Sequence, residues 1–573
     1  MQFFNNIKIN KSVIVILPII IVLIYIYNLQ ILNLNLDSLC DEGYLFLMIQ
    51  SAHNGIRDGF SQWPTIIDTL FGSKITSNIL YLRYARYFVH LFSISMFYFA
   101  TNWYLIKKGI LNSLKNKIIF FSSLYLLGAL SFGIIAIAYN TLQELFLLSV
   151  VGSFLISTVC DSKRVNIFYF LIGFFSFFSI LNILPSAVLV LVSIIIITFI
   201  KNGLALKKTL FSTFCMLLGL LFAALIFHFF FLSLGIVFDN MFKTFNSVKQ
   251  WGAGYDSISF IINLFLYFRD FFMGLCLLFG ALVFSYIISK FLGKWFAFIL
   301  FCFSMILFSV YQIKPQLTLS TFLAFPLLLL IILKLTQMKL TQVKQLLSFE
   351  FLIYPFLFFL PLLSTIGTNL HLGSKMIFFI IPWGVLFVEL IFDIKLNILY
   401  KVEIKLIKLL FLGILLVYLI TNIVKDLSKP TNVDVYFRKN SPISQIKLSR
   451  QQLIYFDKVD SIMKLYGYIP KEYVFSTQLD HMTLVALNAT PHGIYFFPTM
   501  FLIDSQKRKE RKPDFLFLDD YDLKLMGDSI KLLGWGFPKD YDSIYVGTPE
   551  TLQTTYSTDR TLYCLKKRKV IQK

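Results

Sequence analysis

Apolar runs of about 18 or more residues recur along this chain from its N-terminus to about residue 423. They constrain the fold more than any other feature, because each run is long enough to cross a hydrocarbon core of roughly 30 Å as a helix. Of the 573 residues, 57% are hydrophobic and only 14% are charged, whereas an average soluble protein has about 25% charged residues. The pattern predicts a mainly α-helical, polytopic membrane protein.

The apolar windows predict about thirteen membrane spans. Their approximate bounds are 13–34, 88–106, 118–138, 142–160, 165–184, 186–200, 209–235, 271–289, 295–312, 317–333, 349–366, 376–394 and 409–424. The first run follows Lys8 and Lys11 and is long for a signal peptide, with no small-x-small cleavage site after it. We therefore expect a retained anchor.

The net charge of +21 is placed where it sets orientation. Residues 425–573 contain 23 Lys/Arg and 17 Asp/Glu, so most of the excess lies in the membrane part, in alternate short loops such as 107–117 and 201–208. Basic loops stay in the cytoplasm. The pattern predicts a multi-pass protein of the inner (plasma) membrane with a cytoplasmic N-terminus and an external C-terminus, and it argues against a nucleic-acid partner.

Composition divides the chain at about residue 425. Residues 1–424 are predicted to form a transmembrane domain, and residues 425–573 a small, soluble, external (periplasmic) α/β domain. Short strands are predicted at 473–479, 513–520, 542–550 and 561–567, where β-branched and aromatic residues lie between turn formers. An amphipathic helix is predicted at 449–467, ended by Gly467.

The first external loop, 35–87, contains helical segments. Leu45, Phe46, Ile49 and Ala52 share one helical face, and "TIIDTLFG" repeats the pattern weakly. Such segments either lie as interfacial helices with the apolar face in the lipid boundary or act as plugs that pack over the bundle. The sequence leaves both open.

The same loop concentrates acidic residues. It holds five of the fourteen Asp/Glu of the membrane part, namely Asp37, Asp41, Glu42, Asp58 and Asp68. Carboxylates near lipid are usually exposed, paired or functional, because desolvation is costly. The adjacent Asp41 and Glu42 are therefore either a catalytic pair or a polar helix edge.

The runs "DEGYLFLMIQSAHNGIRDGFSQWP" and "LYLRYARYFVHLFSISMFYFATNWYL" resemble the opening of the GT-C superfamily of integral-membrane glycosyltransferases. This group includes protein mannosyltransferases and lipid A aminoarabinose transferases. The matching positions are Asp41-Glu42 after the first span, the stretch from Gly55 to Phe60, and Arg83 and Arg86 at the head of the second helix. The resemblance covers roughly residues 12 to 160.

The resemblance implies an enzyme that transfers a sugar from a polyprenyl-phosphate carrier to a hydroxyl of a glycan, lipid or protein acceptor on the outer face of the membrane. Asp41 matches the catalytic aspartate and would act as general base. Glu42 would orient it or help bind a divalent metal, if the reaction uses one. Arg83 and Arg86 would stabilise the leaving phosphate, or else anchor their helix to headgroups.

Two further external turns supply candidates. Tyr139 and Asn140 precede Glu144 in "AIAYNTLQE", and "STIGTNLHLGSK" contains Asn369, His371 and Lys375. Tyr139, Asn140 and Asn369 are candidate substrate-binding residues, while His371 and Lys375 are candidates for the donor phosphate. Turns also favour such residues for conformational reasons alone.

His90 and His228 occupy apolar positions and are predicted to be packing residues.

Two alternatives to a transferase stay open. A polysaccharide polymerase or ligase would show arginine-rich external loops. A lipid-linked-sugar flippase or transporter would show repeats or broken helices and ionisable groups within the spans, where we expect only Arg269, Asp270 and Glu389.

Overall fold

The computed structural model describes most of the chain. The described residues are 11–34, 41–53, 61–132, 137–161, 164–240, 319–337, 348–366, 376–393, 441–448, 450–476, 481–491, 513–519, 541–547 and 562–567, with scattered helical positions between 261 and 287 and between 411 and 419.

Helices dominate these residues. In chain order they are α1 (Lys11–Gln30), α2 (Asp41–His53), α3 (Trp63–Thr76), α4 (Ile79–Lys107), α5 (Leu114–Ser131), α6 (Tyr139–Val159), α7 (Val165–Asn182), α8 (Leu184–Lys201), α9 (Leu206–Phe230), α10 (Leu319–Gln337), α11 (Phe349–Thr365), α12 (Pro382–Asp393), α13 (Arg450–Leu465) and α14 (His481–Leu487). A 3-10 turn, Ile31–Asn33, extends α1, and another, Ile377–Phe379, precedes α12.

Five segments within the described residues are long and apolar enough to cross a bilayer: Ile16–Asn33, Tyr139–Val159, Val165–Asn182, Leu184–Lys201 and Leu206–Phe230. At about 1.5 Å per residue, the 21 residues of α6 extend about 32 Å. The chain is thus a multi-pass membrane protein. Of the thirteen predicted spans, 295–312 lies outside the described residues, and 271–289 and 409–424 lie largely outside them.

Helix α4 begins at Ile79, well before the predicted span 88–106. Its N-cap, Asn78, accepts a hydrogen bond from Leu80 N at 2.8 Å, which satisfies one of the free amide groups of the first turn. The extra turns carry Arg83 and Arg86, which therefore lie inside the helix.

Glycines let α7 and α9 pack closely. A Cβ at Gly173 would lie 2.9 Å from Met216 Cα and closer still to the Met216 carbonyl, and a Cβ at Gly219 would lie 2.8 Å from the Phe170 carbonyl carbon. Small residues at helix interfaces allow such contact between membrane helices, which supplies the van der Waals attraction that holds them together.

The loop helices act as plugs rather than lipid-facing helices, α2 along its whole apolar face and α3 over its first turns. Leu45, Phe46, Ile49 and Ala52 are all buried, as are Ile66 and Ile67 of α3. The start of α3 is tied to the end of α7, because Gln62 N donates to Leu181 O at 2.9 Å.

The strands of the C-terminal part form one five-stranded sheet with the order β2-β1-β3-β5-β4. They are β1 (Tyr473–Ser476), β2 (Thr490–Pro491), β3 (Phe515–Asp519), β4 (Tyr541–Gly547) and β5 (Leu562–Lys567). β1 pairs in parallel with β2 and β3, whereas β5 is antiparallel to both β3 and β4. Each of the four predicted strands overlaps an observed one, and Gly467 follows α13 with a φ of 76°.

Residues 441–448, which we call the bracket segment, join the C-terminal part to the membrane helices. Lys447 N donates to Asn33 O at 2.8 Å, Ile79 N donates to Pro442 O at 3.2 Å, and Ser441 Oγ donates to Ala486 O at 2.9 Å. Three separate regions of the chain therefore meet at this segment.

Candidate functional site

The first element of the candidate site is a buried ion pair that follows Asp41. Asp41 is the first residue of α2. Beside it, Glu42 accepts two hydrogen bonds from Arg83, from Nε at 2.7 Å and from Nη2 at 2.6 Å. Both side chains are 0% exposed. A planar guanidinium matches a carboxylate in this two-bonded arrangement, which fixes the orientation of both groups.

Arg83 also fastens the end of the first span. Its Nη1 donates to Leu32 O at 2.7 Å and to Leu34 O at 3.3 Å. Because the same side chain binds Glu42, it connects α1, α2 and α4 at one point. Removing one partner of a buried pair leaves an uncompensated charge, at a cost of roughly 3–5 kcal/mol.

Three basic groups form a stripe along one face of α4, because Arg83, Arg86 and His90 follow each other at helical spacing. Arg86 is buried, and its guanidinium carbon lies 5.7 Å from the centre of the Phe132 ring. The His90 ring lies 5.6 Å from the same ring. We call Arg83, Arg86 and His90 the α4 stripe.

At the inner end of the stripe, His90 joins Glu144 of α6. His90 Nδ1 lies 2.9 Å from Glu144 Oε2, and Nε2 lies 3.0 Å from the carbonyl oxygen of Gly128. A carbonyl can only accept, so Nε2 carries a proton. The contact between Nδ1 and the carboxyl oxygen needs a further proton on one of the two groups. The pair therefore has no net charge, wherever that proton resides.

Several hydrogen-bond acceptors near the start of α6 have no hydrogen-bond partner among the described residues. They are Glu144 Oε1, Asn140 Oδ1 and Asn182 Oδ1. The orientation of the Asn182 amide follows from its Nδ2, which donates to Tyr139 O at 2.6 Å. Buried polar atoms without a partner cost about 1–3 kcal/mol each, so their presence calls for a ligand or a water molecule.

Helix α14 of the C-terminal part packs directly on the start of α2. A Cβ at Gly43 would lie 2.7 Å from the His481 carbonyl carbon and closer still to Met482 N. The ring of Tyr44 lies 5.5 Å from the ring of His481. Burial lowers the pKa of His481 to about 3, because the charged imidazolium would lose its hydration.

A separate buried carboxylate lies at the opposite end of α4. Glu389 of α12 is paired with Lys108 and accepts a hydrogen bond from Tyr104 Oη at 3.0 Å. This cluster adjoins a cavity of about 320 Å³ lined by Lys108, Gly109, Ile110, Asn112, Asn116 and Phe392. It joins α4 to α12 and takes no part in the site around Asp41.

The structure brings together some of the residues selected from the sequence. Asp41 and Glu42 begin α2, Arg83 and Arg86 belong to the α4 stripe, and Tyr139 and Asn140 begin α6. Asn369, His371 and Lys375 lie outside the described residues. Among residues 11–34, 41–53 and the other described ranges, no group of three or more His, Cys, Asp or Glu could hold a metal ion.

The structure decides one open alternative and corrects one expectation. Arg83 and Arg86 are buried, which argues against helix anchors that face headgroups. His90 is buried as expected, and it is also hydrogen-bonded to Glu144. Glu144 is an ionisable group within a span, in addition to those expected there.

The site also includes residues that the sequence analysis left unassigned. In the sequence, Arg83, Arg86 and His90 are spaced so that they share one face of a helix. This spacing becomes a signal only when the helix is taken to begin near Ile79, as it does in the structure. No sequence signal connected His481 to α2, because its contacts with Gly43 and Tyr44 join distant parts of the chain.

Comparisons with known proteins give structural matches only. No protein-family model and no curated protein matches the chain. The chain is similar to the crystal structure of ArnT from Cupriavidus metallidurans bound to undecaprenyl phosphate, with a TM-score of 0.44 and 10% identity over 97% of this chain and 98% of that chain. It is also similar to the oligosaccharyltransferase of Archaeoglobus fulgidus in its apo form, with a TM-score of 0.43 and 12% identity over 96% of this chain and 75% of that chain.

Proposed function

We propose that this protein is a membrane glycosyltransferase that moves a sugar from a polyprenyl-phosphate carrier to an acceptor hydroxyl on the outer face of the membrane. The observation that carries the proposal is the Glu42–Arg83 pair, which fixes the residue after Asp41 to the α4 stripe. It supports the catalytic interpretation of the Asp41-Glu42 motif because a mere polar helix edge would be solvated rather than fully buried and paired.

Asp41 is the general base. It takes the proton of the acceptor hydroxyl as the oxygen attacks C1 of the sugar, and the bond between C1 and the phosphate oxygen breaks. The carrier leaves as polyprenyl phosphate. A carboxylate at the first position of a helix is favoured in its charged form by the helix dipole, typically by about 0.3–1 kcal/mol.

The cations divide between two tasks. Arg83 already donates to Glu42 and to two backbone carbonyls, so its first task is to hold α2 in place. Arg86 lies one turn further along the same face of α4 and is the better candidate for the leaving phosphate, together with His371 and Lys375. Fixed cations in a water-poor site stabilise charge that develops on the leaving group.

The start of α6 holds the sugar. Glu144 Oε1, Asn140 Oδ1 and Asn182 Oδ1 are acceptors without a partner among the described residues, and a sugar offers several hydroxyl donors. Tyr139 begins the same helix, and Asn369 is the substrate-binding candidate from the other external turn. Glu42 remains a candidate metal ligand only if it exchanges Arg83 for the metal, should the reaction use a divalent ion.

The proposed organisation has residues 1–424 as the membrane catalytic domain and residues 425–573 as an external α/β domain. The N-terminus lies in the cytoplasm, in the inner (plasma) membrane. Basic residues at the ends of α4 and α8, Lys107 and Lys201, support this orientation. The acceptor is a glycan, a lipid or a protein.

The test uses purified protein in liposomes with a panel of hexoses and pentoses linked to undecaprenyl phosphate. Mass spectrometry follows transfer and the release of the sugar-free carrier. Asp41→Asn keeps the size of the side chain, and we expect transfer to fall by about 10²–10⁴-fold. Asp68→Asn on α3, in the same loop, is the matched control. Transfer by Asp41→Asn at the wild-type rate, with an unchanged fold, would remove the basis of the proposal.

One observation favours a second candidate, a flippase for lipid-linked sugars. The buried His90–Glu144 pair lies between membrane helices, where transporters often keep ionisable groups. A flippase would move a fluorescent lipid-linked sugar between leaflets of a liposome without releasing the sugar-free carrier. If the sugar-free carrier is released, and only when an acceptor is present, the protein is a transferase and not a flippase.

A further inference from the structure

The contact between α14 and α2 is closer than ordinary helix packing. Gly43 lies two residues after Asp41, and its hydrogen faces the backbone of His481 and Met482 so closely that a Cβ would be 2.7 Å from the His481 carbonyl carbon. The two backbones touch without an intervening side chain. The position of the first turn of α2 therefore follows the position of α14.

Helix α14 is itself firmly held. All seven of its residues are buried. Thr483 Oγ1 lies 3.1 Å from the hydroxyl of Tyr455 on α13, Ala486 O accepts from Ser441 of the bracket segment, and Leu487 O accepts from Tyr468 Oη at 3.2 Å. These bonds connect α14 to the C-terminal part, which therefore provides a rigid support.

We propose that α14 is a positioning element of the catalytic site, and that it sets the place of Asp41 and Glu42 through its contacts with Gly43 and Tyr44. This inference rests on the proposed function. It makes the C-terminal part a component of the active site rather than an accessory domain joined to it.

The first turn of α2 is fixed from two sides. Arg83 holds Glu42 from α4, and α14 holds Gly43 from the C-terminal part. Both contacts are needed to fix the position of α2. The ion pair alone would let α2 rotate about its own axis, and the backbone contact with α14 prevents that rotation. A displacement of about 1 Å at a reacting group costs as much as 10²-fold in rate.

His481 acts in this contact through the shape of its ring. It is 0% exposed, and both ring nitrogens lack a partner among the described residues. The ring is neutral at physiological pH and packs against Tyr44. A phenylalanine ring at this position preserves the packing, whereas alanine leaves a cavity between α14 and α2.

The experiment compares two glycine variants in which the new Cβ would meet the backbone of a neighbouring helix, and the contact at Gly173 is the closer of the two. Gly43→Ala separates α2 from α14, and we expect kcat to fall at least tenfold with the donor KM within about twofold of wild type. Gly173→Ala separates α7 from α9, away from the site. It should lower thermal stability while kcat per folded molecule is unchanged. A kcat of folded Gly43→Ala equal to that of Gly173→Ala overturns the proposal.

A second pair of variants keeps the test decisive if Gly43→Ala does not fold. His481→Ala should lower kcat, and His481→Phe should restore it to within about twofold of wild type. Loss of transfer in a folded His481→Phe protein would overturn the positioning role, because it would assign a direct chemical task to the ring nitrogens. Wild-type transfer by His481→Ala would overturn it as well. The proposed function is tested separately, and it fails if folded Asp41→Asn protein transfers sugar at the wild-type rate.

Discussion

The Glu42–Arg83 pair should contribute a large coupling free energy to stability. Both side chains are 0% exposed, and the two bonds between them measure 2.7 and 2.6 Å. Glu42→Leu leaves a buried guanidinium without its counter-charge, and Arg83→Met leaves a buried carboxylate. Each single variant should lose about 3–5 kcal/mol of the free energy of unfolding.

The double variant should be much more stable than the two single losses imply, because two apolar side chains of similar volume replace the pair without a buried charge. It still lacks the donor that Arg83 supplies to the carbonyls of Leu32 and Leu34. That loss accounts for about 1–3 kcal/mol. The double-mutant cycle should therefore give a coupling energy of about 3 kcal/mol or more.

The assay is denaturant unfolding in mixed micelles, followed by tryptophan fluorescence. The control cycle uses Lys464 and Asp460 on α13, a pair 3.1 Å apart in which the lysine side chain is 63% exposed and the aspartate side chain 9%. Because water screens the lysine, its coupling energy should be about 1 kcal/mol or less. A Glu42–Arg83 coupling below about 1 kcal/mol would mean that water reaches the pair, and it would refute the argument from burial.

Three further outcomes are expected. Because burial lowers the pKa of His481 to about 3, from about 6.5 unfolded, its contribution to stability is complete above about pH 6.5. That contribution should decline by about 1.4 kcal/mol per pH unit as the pH falls toward 3, and His481→Phe should remove this slope in acid unfolding curves. A reporter active only in the cytoplasm should stay silent when fused after Lys573, and activity there would contradict the topology. Single alanine variants of Arg86, His371 and Lys375 should raise the donor KM of folded protein, and an unchanged KM in all three would exclude them from the phosphate site.

Helix positions were largely predictable, because hydropathy reports the average environment of a run of residues. Helix α6 begins at Tyr139, close to the predicted span 142–160. The start of α4 was predicted too late because Arg83 and Arg86 lower the hydropathy of its first turns. Their charges are tolerated in a buried helix because Glu42 pairs with Arg83 and the Phe132 ring lies against Arg86. Both partners are distant in the sequence, so a hydropathy window over α4 does not contain them.

The candidate site was predictable only where local chemistry was sufficient. The adjacent carboxylates Asp41 and Glu42 indicated the start of α2, which the structure places at Asp41. The roles of His90 and His481 depend on contacts made across helices, with Glu144 and with Tyr44. The sequence neighbours of either histidine do not reveal these partners, so only the three-dimensional structure distinguishes the hydrogen-bonded ring of His90 from the packed ring of His481.

The contact of Gly43 with α14 also has a consequence for biosynthesis. A ribosome that adds 5–20 residues per second delivers His481 roughly 20–90 s after Gly43. During that interval the membrane-spanning helices can insert while the face of α2 that contacts α14 has no cover. A chain that stops before residue 481 therefore presents Gly43 and Tyr44 to the quality-control machinery on the side of the membrane where α2 lies. In the proposed transferase, a chain that ends before α14 would therefore be inactive.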